Sequence, residues 1–180
     1  MVLKNIKEYV KNRKEELKNI VENLKHEPTL VIVQVGNNEA SNRYVRNKVK
    51  DCEEVGIEAQ VYYFPEDIEE AELKHEIECL QPYADGLIVQ LPLPPHIDYQ
   101  YVTSTLWPEK DVDGFLEHSR YVPATPKGIM DYLKYCEFDV DGKLVVIIGR
   151  SDIVGKPLAK LMTDANATVA LCHSHTTIAD

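Results

Sequence analysis

A tyrosine and a lysine four residues apart, Tyr44 and Lys48, lie in a segment whose apolar pattern predicts a helix. Residues four apart share one face of a helix, so the two side chains are neighbours. A lysine facing a cleft can donate or accept a proton when burial lowers its pKa, and a tyrosine can stack on a flat heterocycle. The pair indicates acid–base chemistry on a cyclic substrate, although a surface pair on an amphipathic helix has the same spacing.

Three further polar candidates, Gln90, Asp111 and Asp113, lie at or after the apolar run 86–90. Gln90 ends the run 86–90, which predicts a buried strand, so its amide needs hydrogen-bond partners. The segment 110–114 then places Asp111 and Asp113 at the rim of the same predicted sheet. These residues fit a binding site at a sheet edge, but Gln90 could simply end the strand and the aspartates could form a turn.

A second group of candidates surrounds Gly149. The segment 149–157 joins a predicted strand to a predicted helix, where backbone N–H groups and the helix dipole favour a phosphate. It matches G-x-G-x-x-G poorly, because Ser151 and Val154 stand at the second and third glycine positions. The alternative is a tight turn without a ligand.

The end of the following strand bears on the choice of cofactor. An NAD site usually places an acid there, whereas this chain continues 172–176 as Cys-His-Ser-His-Thr. Arg150 and Ser174 could instead meet a 2′-phosphate, which favours NADP over NAD. If there is no ligand, His173 and His175 are surface residues.

The elements that position these residues alternate between helix and strand patterns. The predicted order is helix 3–25, strand 29–35, helix 40–55 ending at Gly56, strand 57–64, helix 68–80, strand 86–90 and helix 98–106. This order predicts a three-layer α/β domain with a parallel sheet covered by helices on both faces. Ligands of such sheets bind beyond the carboxyl ends of the strands, where loops 36–41, 90–96 and 110–114 lie.

A boundary is predicted within 115–125, which gives domains 1–120 and 121–180. Thr125 as N-cap and Pro126 at the first helical position would open a helix to about Cys136. Strand 143–148, helix 155–165 and strand 167–172 then form one βαβ unit, the start of a Rossmann-type dinucleotide-binding domain.

Composition excludes several classes of protein. A formal net charge of -10 argues against nucleic acid as the main partner. The four separated cysteines suit a reduced intracellular protein. The charged N-terminus lacks a signal-peptide pattern, and no apolar stretch is long enough to cross a bilayer. We therefore expect a cytoplasmic protein that binds neither membrane nor nucleic acid, and we predict no metal site.

Six segments together resemble the bifunctional methylenetetrahydrofolate dehydrogenase/cyclohydrolase family. They are 44–57, 85–94, 108–114, 123–128, 149–157 and 167–176. The runs DGLIVQLPLP and GRSDIVGKP are the most specific of these, and the segments follow the family's order from about residue 30 onward. Ala124 departs from the cysteine usual in the family, and residues 1–28 carry little of the resemblance.

The resemblance implies roles for the first group of residues. Lys48 would be the general acid and base of the cyclohydrolase step, and Gln90 would hydrogen-bond and tune it. Tyr44 would pack on the folate rings. Asp111, preferred here to Asp113, would anchor the pterin. NADP would be held by Gly149, Arg150, Ser151, Gly155, His173 and Ser174.

The implied function belongs to one-carbon metabolism and purine biosynthesis. Methylenetetrahydrofolate would lose a hydride to NADP, and the resulting methenyl cation would be hydrolysed to 10-formyltetrahydrofolate. The resemblance also implies a homodimer. Family members continue beyond the position of Asp180, so we expect a C-terminally truncated chain. Three alternatives stay open: a cyclohydrolase without dehydrogenase activity, a non-catalytic folate-binding fragment, and another oxidoreductase of the same architecture.

Overall fold

The computed structural model describes residues 3–177. Contacts within the chain divide it into two compact units: residues 11–121, called the first unit, and residues 3–10 with 122–177, called the second unit. Helix α1, Ile6–Glu22, contributes residues to both units and has none that is fully buried. It is shorter than the predicted helix 3–25. No helix in the described part of the chain is long and apolar enough to span a membrane.

The first unit contains a three-stranded parallel sheet. Its elements are β1 Thr29–Val35, α2 Glu39–Val55, β2 Glu58–Phe64, α3 Glu70–Leu80, a 3-10 turn Gln81–Tyr83, β3 Gly86–Val89 and α4 Tyr99–Val102. The strand order is β2-β1-β3. Ile32 lies opposite Val61 of β2 and Ile88 of β3, so β1 is the central strand. The predicted parallel sheet is confirmed.

Alternation along β1 explains the layers. Val31 and Val33 are fully buried against Leu73 and Ile77 of α3 in the main apolar core. Gln34, the residue after Val33, points to the other face, where its Nε2 donates to Asn42 Oδ1 of α2 at 2.5 Å. Helices therefore cover both faces of the sheet, as the nearly continuous apolar run of β1 predicts.

Two helices of the first unit have well-defined ends. Asn38 accepts from the N–H groups of Ala40 and Ser41 at the start of α2, and Gly56, with φ 83°, ends this helix as predicted. Helix α4 is much shorter than the predicted 98–106. The Thr103 hydroxyl donates to the Tyr99 carbonyl at 2.7 Å, a side-chain bond of the kind that competes with helix continuation.

The second unit contains α5 Ala124–Tyr135, β4 Leu144–Ile148, α6 Gly155–Asp164 and β5 Thr168–Cys172. Strands β4 and β5 are parallel, with Ile148 opposite Cys172, which confirms the predicted βαβ unit. A small core forms around Ile147, Leu158 and Met162. The alternate residues of β4 point away from this core and are exposed.

The predicted start of α5 is wrong by two positions. The helix begins at Ala124 with Pro123 as N-cap, and no side chain caps it, so Thr125 is already helical. Pro126 is buried in the first turn. The missing N–H of a proline has no cost there, because the first N–H groups of a helix have no intrahelical partner. The sequence signal for a helix start was correct, but the position was not.

Candidate active site

Lys48 and Gln90 meet on the α2 side of the sheet. Lys48 Nζ lies 3.2 Å from Gln90 Oε1, and Gln90 is only 8% exposed. The amide nitrogen of Gln90 donates to the Leu91 carbonyl at 2.6 Å. That bond orients the amide so that its oxygen faces the lysine. The two residues are 42 positions apart in sequence, and their contact is the one on which the predicted chemistry depends.

The polar groups at the start of α2 fix the position of Lys48. Ser41, buried at 1% exposure, directs its hydroxyl to the Leu91 carbonyl at 3.4 Å, the same oxygen that Gln90 binds. Asn42 joins Gln34 to Asn37, donating to Asn37 Oδ1 at 2.7 Å. The first turn of α2 is thus tied to the ends of β1 and β3. One helical stripe then carries Ser41, Tyr44 and Lys48.

Asp113 is the acid that the structure brings to Lys48. Its carboxylate lies 4.0 Å from Lys48 Nζ, and its side chain is 14% exposed. Burial raises the pKa of Asp113, the charge of Asp111 adds to that shift, and Lys48 opposes it. A largely buried carboxylate beside a lysine can accept hydrogen bonds from a ligand through its remaining exposed edge.

Asp111, the acid preferred from the sequence, is placed differently. It is 1% exposed, and its two carboxylate oxygens accept from the N–H groups of Gly114 at 3.2 Å and Leu116 at 2.9 Å. Its backbone carbonyl accepts from the Ser119 hydroxyl. These bonds shape the turn that presents Asp113. The geometry therefore corrects the preference: Asp111 is occupied inside the turn, and Asp113 faces Lys48.

Tyr44 lies one helical turn before Lys48 and is 61% exposed. An exposed ring on the same stripe as the lysine is available for stacking. The stacking role itself stays a prediction. Sequence reasoning missed Ser41, although it stands three residues before Tyr44 and seven before Lys48, the spacing of a single helical face.

Tyr99 was also missed. Burial raises the pKa of its phenol, and the charges of Asp111 and Asp113 add to that shift, so Tyr99 lies close to the acid pair. Its ring meets Phe115 edge to face with 6.2 Å between centroids. No sequence signal linked Tyr99 to the acids, because α4 and the 111–116 turn come together only in the fold. No three His, Cys, Asp or Glu side chains within residues 3–177 form a group able to hold a metal ion.

In the second unit, the strand-to-helix turn depends on two glycines. Gly149 has φ 120°, a backbone conformation that residues other than glycine rarely adopt. A Cβ on Gly155 would lie 2.1 Å from the Gly149 carbonyl oxygen. Gly155 is the first residue of α6. Because it has no Cβ, the backbone at Gly149 can pack directly against the N-terminus of this helix. The required glycines are therefore 149 and 155, whereas the sequence alignment to G-x-G-x-x-G had placed Val154 in the last position.

The predicted cofactor residues lie at one edge of the β4–β5 sheet. The Gly149 N–H donates to the Cys172 carbonyl at 2.8 Å, so the chain after β4 runs beside the chain after β5. Arg150 and Ser174 each stand two residues beyond the paired strand ends. Ser151 Oγ accepts from the Gly155 N–H at 3.4 Å, and His173 N–H donates to Thr176 Oγ1 at 2.8 Å.

This edge fits the phosphates of NADP. The glycine pair leaves the backbone at the N-terminus of α6 open to close approach, which a diphosphate needs. Arg150 and Ser174 supply donors of the kind that a 2′-phosphate takes. The carboxylate of the turn, Asp152, is held by Lys156 at 2.5 Å. The donor set therefore agrees with the sequence-based preference for NADP, and the individual contacts stay predictions.

Comparison with known proteins gives the family. The family model "Tetrahydrofolate dehydrogenase/cyclohydrolase, catalytic domain" matches residues 2–113, and the corresponding NAD(P)-binding domain model matches residues 123–180. The chain belongs to the tetrahydrofolate dehydrogenase/cyclohydrolase family. The resemblance seen in the sequence motifs and the α/β fold class are both confirmed.

Individual relatives agree with this assignment. The Bifunctional protein FolD of Agathobacter rectalis is 47% identical over 161 residues, which cover 83% of this chain and 58% of that protein. The cytoplasmic C-1-tetrahydrofolate synthase of Schizosaccharomyces pombe is 48% identical over 166 residues, 84% of this chain and 18% of that protein. This family member thus spans little more than half the length of the FolD relative.

Solved structures of the family are similar throughout the described fold. A FolD structure from Campylobacter jejuni has TM-score 0.87 and 42% identity, covering 92% of this chain and 64% of that one. A Trypanosoma brucei FolD complexed with NADP cofactor and inhibitor has TM-score 0.90 and 31% identity, covering 97% and 65%.

Proposed function

We propose that this family member acts in the NADP-dependent oxidation of 5,10-methylenetetrahydrofolate and the hydrolysis of the methenyl product to 10-formyltetrahydrofolate. The observation that carries the proposal is the contact of Lys48 Nζ with Gln90 Oε1 at 3.2 Å, with Asp113 at 4.0 Å. It supports a lysine held as an acid–base group beside a ligand-binding carboxylate. NADP, when bound, supplies the acceptor for the hydride.

Lys48 is the proposed proton carrier of the hydrolytic step. Water attacking the methenyl carbon must lose a proton, and the ring nitrogen that departs must gain one. A lysine in its neutral form takes the first proton and returns it as an ammonium. The Gln90 carbonyl accepts a hydrogen bond from either form of the amine, so it keeps Nζ in place through the cycle.

Asp113 is the proposed anchor of the pterin. The ring N–H and amino group of a pterin form a donor pair that a carboxylate accepts well. Asp113 keeps an exposed edge, whereas Asp111 has both oxygens bonded to the turn. Tyr44 is the proposed stacking surface for the flat part of the folate, in keeping with its exposure beside Lys48.

For the cofactor, we propose Gly149, Ser151 and Gly155 at the diphosphate, with Arg150 and Ser174 at the 2′-phosphate and His173 beside them. The steric need for glycine at 155 and the pairing of the two strand ends support this assignment. The family resemblance also supports a homodimer in the cytoplasm whose product serves purine biosynthesis.

Replacement of Lys48 tests the proposal. Lys48→Ala should lower the rate of methenyltetrahydrofolate hydrolysis by about 100-fold or more, the usual contribution of a general acid–base group. The matched control is Lys50→Ala, on the same helix two residues away, where the lysine pairs with Glu54 at the surface. Hydrolysis is followed by the loss of methenyl absorbance, and folate affinity by titration calorimetry.

The outcomes separate chemistry from binding. Lys48→Ala with normal folate affinity and slow hydrolysis supports the role of Lys48. Unchanged hydrolysis removes Lys48 from the mechanism, whereas folate binding without hydrolysis by the unchanged chain returns it to a folate-binding function. Because Lys48, Gln90 and Asp113 all belong to the first unit, a cyclohydrolase without hydride transfer is the second candidate. Methenyl hydrolysis without reduction of added NADP would identify it.

A further inference from the structure

The edge of the β4–β5 sheet holds one imidazole to which no role has been given. His175 is exposed and follows Ser174, the serine proposed for the 2′-phosphate. Its ring centroid lies 6.0 Å from that of His173. The pairing of Ile148 with Cys172 brings the segment that carries His175 beside the segment that carries Arg150. Both segments continue from the carboxyl ends of neighbouring parallel strands, where ligands of such sheets bind.

The two histidines are in different hydrogen-bonding states. The His175 backbone N–H donates to His173 Nδ1 at 3.1 Å, so this nitrogen of His173 carries a lone pair and its proton sits on Nε2. Nδ1 of His173 is therefore occupied by the turn. The His175 ring makes no hydrogen bond with any group in the described range 3–177. His175 is therefore the imidazole of this turn whose two ring nitrogens are both available to a ligand within the described residues.

We propose that His175 is a titratable recognition residue for the 2′-phosphate of NADP, acting beside Arg150 and Ser174. This inference rests on the proposed NADP function and assigns a residue beyond it. A protonated imidazole adds a second positive charge where the 2′-phosphate would lie, and NAD lacks the group that would benefit. The chain's preference for NADP over NAD should therefore increase as the pH falls through the range where histidine titrates.

The other charges at this edge do not replace that effect. Arg150 keeps its charge at all relevant pH values. Asp152 of the β4–α6 turn is neutralised by Lys156 at 2.5 Å. His173, the remaining titratable neighbour, already accepts the His175 N–H at its Nδ1. The phosphate itself takes up a proton near pH 6, so the gain should level off below about that pH.

Binding of two small probes to the whole chain measures the effect. Adenosine 2′,5′-bisphosphate carries the 2′-phosphate and 5′-AMP does not. A phosphate close to a histidine should raise the histidine's pKa by about one unit, which makes the bisphosphate bind about three- to fourfold tighter at pH 6.5 than at pH 8. Binding of 5′-AMP should change little. Titration calorimetry at the two pH values gives both ratios.

Variants and NMR make the assignment specific. His175→Ala should lose the pH-dependent part of bisphosphate affinity, and His175→Lys should keep tight binding at both pH values. His118→Ala, an exposed histidine of the first unit, is the control and should behave as the unchanged chain. In NMR titrations of the imidazole protons, the bisphosphate should raise the pKa of His175 and 5′-AMP should not, a signal that a purely structural histidine would not give.

Two failures can be told apart. If the bisphosphate binds better than 5′-AMP but His175→Ala keeps the full pH dependence, or the His175 titration does not move, the role of His175 is overturned and the NADP proposal stands. If neither probe binds, or both bind equally at both pH values, the NADP proposal fails and the role of His175 fails with it.

Discussion

The two parallel sheets of this chain present their functional residues in different ways. In the β2-β1-β3 sheet, the central strand is buried on both faces, with Val31, Ile32 and Val33 at 0% exposure. In the β4–β5 sheet, one face of β4 is open, and Ile148 is 89% exposed. The first sheet holds its site through packed side chains such as Gln90. The second holds its site through the main chain at Gly149 and Gly155.

This difference predicts how well each candidate site tolerates amino-acid substitutions. Side chains can move or be replaced in pairs, so a site built from them has compensating solutions. Where two backbone segments pass each other at contact distance, no compensating substitution exists, because neither backbone can be removed. Gly86 and Gly155 test the distinction, since an added Cβ at either position would lie closer than 3.0 Å to a neighbouring atom.

The largest effect is expected at Gly155. A Cβ there would lie 2.1 Å from the Gly149 carbonyl oxygen and 2.8 Å from its carbon, both backbone atoms. Gly155→Ala must therefore displace the turn, and we expect a loss of at least about 3 kcal/mol in the free energy of unfolding. Urea unfolding followed by circular dichroism measures it.

The control for this variant is Gly128→Ala. Gly128 lies in α5, and its added Cβ would meet nothing within 4 Å. Alanine in a helix interior should stabilise the chain by about 0.5–1 kcal/mol. Equal stability of Gly155→Ala and Gly128→Ala would show that the turn adapts easily, and the contrast between the two sheets would be lost.

A smaller effect is expected at Gly86 of β3. Its added Cβ would lie 2.6 Å from Val112 Cγ1, a side-chain atom rather than backbone. Gly86→Ala should cost about 1–2 kcal/mol through overpacking. Adding Val112→Ala should recover much of that loss, because it removes the clashing methyl group. A double-mutant cycle in urea isolates the coupling between the two positions.

Additive losses in that cycle would contradict the idea that the first sheet accommodates change through its side chains. The same cycle has no counterpart at Gly155, where no side-chain substitution removes the opposing atom. Stability of the single and double variants thus measures, in one experiment, how far the two sheets differ.

Sequence patterns predicted the strands and the meeting of Lys48 with Gln90 for one physical reason. Buried parallel strands are apolar throughout, and their carboxyl ends share an edge, so residues placed there converge whatever their separation in sequence. The strand-to-helix turn after β4 was located for the same reason, from a β-forming run followed by glycine and a helix pattern. These inferences need periodicity and strand direction only.

The sequence could not decide between Asp111 and Asp113. Both stand in the same short turn, and which carboxylate is free depends on where the N–H groups of Gly114 and Leu116 point. The sequence likewise could not decide whether residue 154 or residue 155 takes the last glycine position of the turn. Glycine spacing does not show which residues bring two backbone segments into contact. Hydrogen bonds and close approaches between neighbouring turns are properties of the folded chain and leave no periodic signal.

The smallest expected effect concerns the pH dependence of stability at Asp113. Burial raises its pKa above the ordinary 3.8, so the folded chain binds its proton more tightly than the unfolded chain does. The contribution of Asp113 to stability is then greatest below pH 3.8 and falls as the pH rises through the folded pKa, after which the loss is constant. Asp113→Asn removes that loss, so at pH 7 the variant should be more stable than the unchanged chain.

Asp85 gives the comparison of opposite sign. The Thr29 N–H, donating to its carboxylate at 2.9 Å, and the nearby His26 lower the pKa of Asp85. Asp85→Asn should therefore reduce stability at pH 7, and the difference should shrink as the pH falls below about 3.8. Urea unfolding of both variants at pH 7 and pH 3 tests the pair. If Asp113→Asn were less stable at pH 7, the ion pair with Lys48 would outweigh burial, and the carboxylate facing Lys48 would stabilise the fold instead of destabilising it.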